Sequence, residues 1–230
     1  MAQTAAQPQQ DPDRAPLQAG AERILHAALD LFGRQGVRGT SLKAIADAAA
    51  VSPALIVHHF GSKDGLRVAC DEHVAEVVRT TKAEAMAQGP GLDPLAALAA
   101  YDQHRPVIRY LAGTLTDGSP HVSELLDEMV EDAVGYTAEA ERSGLLKPSA
   151  DPRSRAVVLV LWSMGMLVLH EHLERLLGVD LIDGDEPPYA YLTAVMDIYA
   201  DGVLADGVYD QLSEHLTPPA TGDPDERQHP

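Results

Sequence analysis

Residues 36–66 read GVRGTSLKAIADAAAVSPALIVHHFGSKDGL. Two short helical patterns lie in this stretch, joined by a tight turn at AAAVS. In residues 41–49, Leu42, Ile45, Ala46 and Ala49 recur at helical spacing, with Thr40 or Ser41 as the cap. Ser52 then precedes Pro53, an N-cap followed by proline at the first helical position, which predicts a helix to about His59. Upstream, residues 21–35 place Leu25, Ala28, Leu29 and Phe32 on one helix face. Three helices with a tight turn between the last two suit a helix-turn-helix, whose final helix enters the major groove of DNA.

The run also resembles the DNA-binding segment of the TetR family of repressors. That family's pattern is roughly T-x-x-x-I-A-x-x-A-G-V-S-x-G-x-L-Y-x-H-F-x-x-K-x-x-L. Ser41, Ile45, Ala46, Ala49, Val51, Ser52, Ile56, His59, Phe60, Lys63 and Leu66 match it or replace it conservatively. The upstream LFGRQG is similar to the end of the family's first helix. Close matching covers about residues 21–66; the remainder agrees in helix number, helix lengths and the GLLKPSADPR loop. Three positions depart: Ala50 and Ala54 replace glycines, and Val57 replaces a tyrosine that in the family touches DNA. The resemblance implies a DNA interface made of Thr40, Ser41, Lys43, Ser52, Pro53, Ala54, Val57, His58, His59 and Lys63. Each also has a plainer reading. Thr40 and Ser41 can serve only as caps, Lys43 and Lys63 as solvated lysines, and His59 as a neighbour packed beside Phe60.

The charge distribution fits this placement. The chain of 230 residues has a formal charge of −18, the wrong sign for a nucleic-acid binder taken whole. Residues 20–66, however, carry five Lys/Arg against four Asp/Glu, whereas residues 67–230 carry eleven against twenty-nine. The acidic part repels DNA and leaves the near-neutral tip to dock. One cysteine, Cys70, excludes an internal disulfide framework. Residues 1–20 lack the apolar run of a signal peptide, so the expected location is cytoplasmic. Residues 1–19 and 217–230 read as a disordered arm and tail.

Residues 67–216 read as helices throughout, at about 64–87, 93–111 with a kink at Pro106, 119–143, 152–177 and 188–206, with a short one at 208–215. The expected fold is therefore all-α: an N-terminal three-helix helix-turn-helix unit on a larger helical body for ligand binding and dimerisation. From Val157 to Leu169 nearly every position is apolar, so this helix needs cover on all sides. The last long helix carries its own stripe of Tyr191, Leu192, Val195, Ile198, Tyr199 and Gly202. Two such helices meeting their copies would close a four-helix bundle, with Leu161, Gly165, Leu192, Val195 and Tyr199 at the dimer interface. A large monomeric core is the alternative.

By resemblance the body should hold an inducer pocket. All seven tyrosines and Trp162 lie there, and amphipathic aromatics suit a pocket with an apolar wall and polar anchors. Tyr101, His104, Arg105, Arg109 and Trp162 are the candidate ligand residues. Arg105 and Arg109, four apart, either anchor an acidic or carbonyl ligand or pair with the many carboxylates. His170 and His172 point about 200° apart on a helix, a poor chelate, and no HExxH, CxxC, P-loop, GxGxxG or GxSxG occurs. No metal, cofactor, membrane or enzymatic activity is expected. The reading is a homodimeric transcriptional regulator on a pseudo-palindromic operator, a repressor released by a small-molecule effector. Its rival is an all-helical ligand-binding or catalytic protein that no longer binds DNA, which only the Val57 departure supports.

Overall fold

Serines start the three helices that follow the first. In the computed structural model, which describes residues 14–91, 93, 103–118 and 121–203, Ser41, Ser52 and Ser62 accept hydrogen bonds from Ala44, Leu55 and Gly65 N–H groups at 3.1, 3.2 and 3.0 Å. They open α2 (Leu42–Ala49), α3 (Pro53–Phe60) and α4 (Lys63–Ala87). Each satisfies an amide that a helix start leaves without a partner. Ahead of them runs α1 (Arg14–Gly39), whose helical geometry is interrupted at Gly36 (φ 71°). Thus α1 begins within the stretch expected to be a disordered arm. Pro16 falls in its first turn, where a missing N–H costs nothing.

A short turn at Gly89–Gly91 follows α4. Then come α5 (Arg105–Thr116), α6 (His121–Arg142), α7 (Pro152–Val168), α8 (His170–Leu177) and α9 (Tyr189–Ala200). Among the described residues there is no strand, and the fold is all-α as expected. The chain up to Pro187 makes one compact unit, and α9 belongs to a second that starts at Pro188. Among the described residues no single helix is long and apolar enough to cross a membrane.

Two expectations change, and a third is met only in part by described residues. The single helix over 152–177 is two helices, α7 and α8, bent by 74° at Leu169. Pro106 sits in the first turn of α5, just after His104 has left helical geometry, and most of the helix expected ahead of it lies outside the described residues. Gly202 is not part of the last helix but follows it with φ 75°. The segments expected helical at 94–102 and 208–215, and the tail at 217–230, lie outside the described residues.

One core runs from the N-terminal helices into the body. Ile24, Leu29, Phe32, Ile45, Ile56 and Leu66 join Val74, Tyr110, Leu111, Met129 and Val160 in a single cluster. Helix α4 crosses the expected boundary at residue 66 without a break. Where α1 meets α5, a Cβ on Gly33 would lie 3.0 Å from the Tyr110 amide nitrogen. Only glycine allows the two backbones to approach so closely. The three N-terminal helices would bury little area alone, and this contact anchors them.

Candidate nucleic-acid interface

The turn between α2 and α3 is set by Ala50, which adopts the left-handed conformation (φ 53°, ψ 48°). Its N–H and that of Val51 return to the last carbonyls of α2, at Asp47 and Ala46, 3.3 and 3.0 Å away. This is how helices commonly end, although glycine ordinarily holds the position. The Arg23 side chain of α1 adds a bond to the Ala49 carbonyl at 3.3 Å. Ile45, Ala46, Ala49 and Ile56 are buried, so both helices face inward along the positions the sequence indicated.

Outward, α3 exposes Pro53, Ala54, Val57 and His58. Val57 is 48% accessible, a large value for an aliphatic side chain. Leu55 is different: it is half-buried, and a Cβ on Gly20 of α1 would meet its Cδ2 at 3.5 Å. His59 also turns inward. Its Nε2 is buried without a hydrogen-bond partner, and its ring lies 6.0 Å from that of Phe60. The packed reading of His59 therefore describes this nitrogen better than a phosphate contact.

Two further positions are corrected by their geometry. Thr40 is 2% accessible, and its hydroxyl donates to the Gly36 carbonyl at 2.9 Å, with the Leu31 carbonyl 3.2 Å away. Ser41, not Thr40, caps α2, and the Thr40 side chain faces the interior. Lys63 donates from Nζ to the carbonyls of Val37 and Thr40 at 3.0 and 3.1 Å. It closes the end of α1 rather than standing free at the surface. Lys43 pairs with Asp47 at 2.7 Å, one helical turn away and exposed. Arg34 pairs with Asp30 at 2.8 Å. Of the five cations in residues 20–66, among the described residues only the exposed Arg38 has no such partner.

Of the expected ligand residues, Arg109 lines a hollow in the body. Tyr101 lies outside the described residues. His104 precedes α5 without capping it, and Arg105 and Trp162 are half-buried and already engaged. Arg109 is 12% accessible and bridges Asp30 of α1, at 3.2 Å, to Asp183. The carboxylate-pairing reading of Arg109 is the one realised. A hollow of about 620 Å³ opens beside it, lined by Gly33, Arg34, Gly113, Thr116, Val168 and Asp183 among others.

A buried polar cluster went unnoticed in the sequence. Arg67 of α4, 7% accessible, lies 3.8 Å from Asp71 and 3.0 Å from Asp117 at the end of α5. Tyr110 donates its hydroxyl to Asp71 at 2.6 Å. Burial pushes the Asp71 carboxyl above its usual range, against the opposing pull of Tyr110 and Arg67. The cluster ties the helix that follows the DNA-reading unit to the helix that packs on α1. The i, i+4 spacing of Arg67 and Asp71 was the available signal. Cys70, beside it, is buried with its thiol pushed far above the ordinary range, so it is not a reactive thiol.

The apolar helix leaves a face in solvent. On α7, Val158 is 60% and Leu161 52% accessible, while Ala156 and Val160 are buried. Val168 and Leu169 continue the exposed face, and a Cβ on Gly165 would meet nothing within 4 Å. On α9, Leu192 and Val195 are half-buried and Tyr199 is exposed.

A capped helix pair, presented on a helical body with its second helix facing outward, defines a DNA-binding transcriptional regulator. Residues 24–70 match the model for bacterial regulatory proteins of the tetR family, and residues 102–205 match the Tetracyclin repressor-like C-terminal domain. The chain is 40% identical over 190 residues to the HTH-type transcriptional regulatory protein RaaS of Mycobacterium tuberculosis, covering 80% of this chain and 86% of the relative. It therefore belongs to the TetR family of transcriptional regulators. The fold is also similar to a putative TetR-family regulator from Rhodococcus sp., with TM-score 0.60, 18% identity and 79% and 98% of the two chains covered. FadR from Bacillus subtilis, solved in complex with stearoyl-CoA, matches with TM-score 0.53 and 14% identity over 80% and 99% of the chains.

Proposed function

We propose that this regulator is a homodimeric repressor, that it holds a pseudo-palindromic operator with one α3 per half-site, and that a small molecule bound in the body releases it. The exposed aliphatic face of α7 carries this reading. Val158, Leu161, Val168 and Leu169 are side chains that a lone soluble chain would cover. A second copy supplies the same surface about a two-fold axis. The symmetry then places two recognition helices on one side of the duplex. At each half-site Ser41, Lys43 and Ser52 lie near phosphates, with Pro53, Ala54, Val57 and His58 toward the bases. A FadR-like fold holding an acyl-CoA supports the effector part of the reading. Release requires the effector to bind the non-operator state more tightly.

Light scattering tests the assembly: the expected mass is about twice the 24.6 kDa chain. A gel shift on the DNA upstream of its own gene tests operator binding. A thermal-shift screen of small molecules, followed by release of the bound operator, tests the effector. A monomer that binds the operator tightly would overturn the dimer.

A further inference from the structure

The recognition helix has almost nothing with which to form hydrogen bonds to bases. Its exposed side chains are Pro53, Ala54, Val57 and His58, and three of these end in carbon. Ser52 already accepts the Leu55 N–H as the cap. Leu55 and His59 turn toward α1. No arginine, asparagine or glutamine occurs between Leu42 and Phe60, and α3 carries no lysine, so the bidentate pairs that read guanine and adenine cannot form from α3. Two neighbouring cations are engaged within the fold, Lys63 at the end of α1 and Arg23 at the end of α2, and Lys43 stands on α2, where its exposed pairing with Asp47 leaves it within reach of phosphates.

In the major groove one feature of a base edge is apolar, the C5-methyl group of thymine. We propose that Ala54 and Val57 read thymine methyls, and that His58 supplies the single side-chain hydrogen bond from α3 to a base edge. The operator half-site would then carry thymines opposite the middle of α3. Apolar burial here takes over the part that a hydroxyl at position 57 would play. This inference rests on the operator-binding reading above and specifies the chemistry of its target.

The test uses the full chain and a duplex enriched from a random pool by repeated capture on it. Each thymine of the enriched duplex is replaced singly by uracil, which removes only the methyl group, and affinity is read by fluorescence anisotropy. One or two positions per half-site should weaken by about fivefold or more, the low end of the loss for a wrong pair. Val57→Ala, at an exposed site and checked for an unchanged melting temperature, should shrink that uracil penalty to under about twofold. His58→Ala should keep the penalty and relax preference at a different base pair. Uracil duplexes that all bind within twofold of the parent would overturn the methyl readout and leave operator binding intact. So would a penalty that Val57→Ala does not change, or sequence preference that is lost on Arg38→Ala. If no duplex is enriched, the operator-binding reading falls as well.

Discussion

Helices α3 and α7 both show apolar side chains to water, yet the two faces differ in scale and framing. On α3 the face is small: an alanine, a proline and one valine at 48% accessibility, with a histidine beside them. It sits on an eight-residue helix begun by a serine cap and held from behind by Ile56. On α7 the face is long and built of larger aliphatics, with Val158, Leu161 and Val168 at 60%, 52% and 44%. Small apolar groups on a short, fixed helix suit a groove that offers isolated methyls among polar edges. A run of large ones suits a matching protein surface, because the hydrophobic gain grows with the area removed from water. Exposure alone thus does not identify a partner. The size of the side chains and the rigidity of their support do.

Breaking the α7 face should have the larger consequence. Leu161→Glu would place an unpaired charge in the proposed dimer interface, at a cost of several kcal/mol. Because Leu161 is half-exposed in the single chain, the variant should still fold, as a monomer near 24.6 kDa. Operator affinity should fall at least about a hundredfold, since each half-site then binds alone. Light scattering and anisotropy together report both effects.

Charging the α3 face separates the two. Val57→Asp should leave the dimer and its melting temperature unchanged and weaken operator binding by at least about tenfold, because a carboxylate meets the phosphates and reads no thymine. A dimer lost in this variant would mean that the two faces are not independent.

The support of α3 can be probed next. Lys63→Ala should cost about 1.5–3 kcal/mol of stability, the value of a charged hydrogen bond, because the carbonyls of Val37 and Thr40 lose their donor. Its salt dependence of DNA binding should stay close to that of the parent. A slope shallower by about 0.9 would instead mark a phosphate contact. The smallest effect belongs to Ala50→Gly. Relieving a left-handed alanine should stabilise the fold by about 0.5–1 kcal/mol, after allowing for glycine's greater freedom when unfolded. Chemical denaturation would measure it, and a destabilised variant would show that the turn carries no strain.

Much of the DNA-reading unit was legible because its signals are local. Ser52-Pro53 marks the start of α3 through the chemistry of one cap and one ring, and the structure starts the helix there. The inward positions Ile45, Ala46, Ala49 and Ile56 follow from helical spacing alone. The placement of Thr40 and Lys63 was not legible, for the opposite reason. Both look like surface polar residues in the sequence, but the interrupted end of α1 turns the Thr40 hydroxyl back onto the Gly36 and Leu31 carbonyls, and the return of α4 brings Lys63 to the carbonyls of Val37 and Thr40. The bend at Leu169 was equally hidden, since neither proline nor glycine stands there. The change from an apolar run to HEHLER was its one trace.

Sequence by itself determined the all-helical class, the three capped helices and the uneven distribution of charge. These depend on residue type and on spacings of a few positions, which short-range sterics and hydrogen bonding convert directly into local structure. Tertiary structure decided which side chains remain available. It turned His59, Thr40 and Lys63 inward, drew Arg109 between Asp30 and Asp183, and gathered Arg67, Asp71, Tyr110 and Asp117 from two helices. Those outcomes depend on partners up to 79 positions away in the chain. Thr40, Lys63, Arg109 and the Arg67 cluster take the partners that packing brings to them, because leaving a buried polar group unpaired costs more than a local preference supplies.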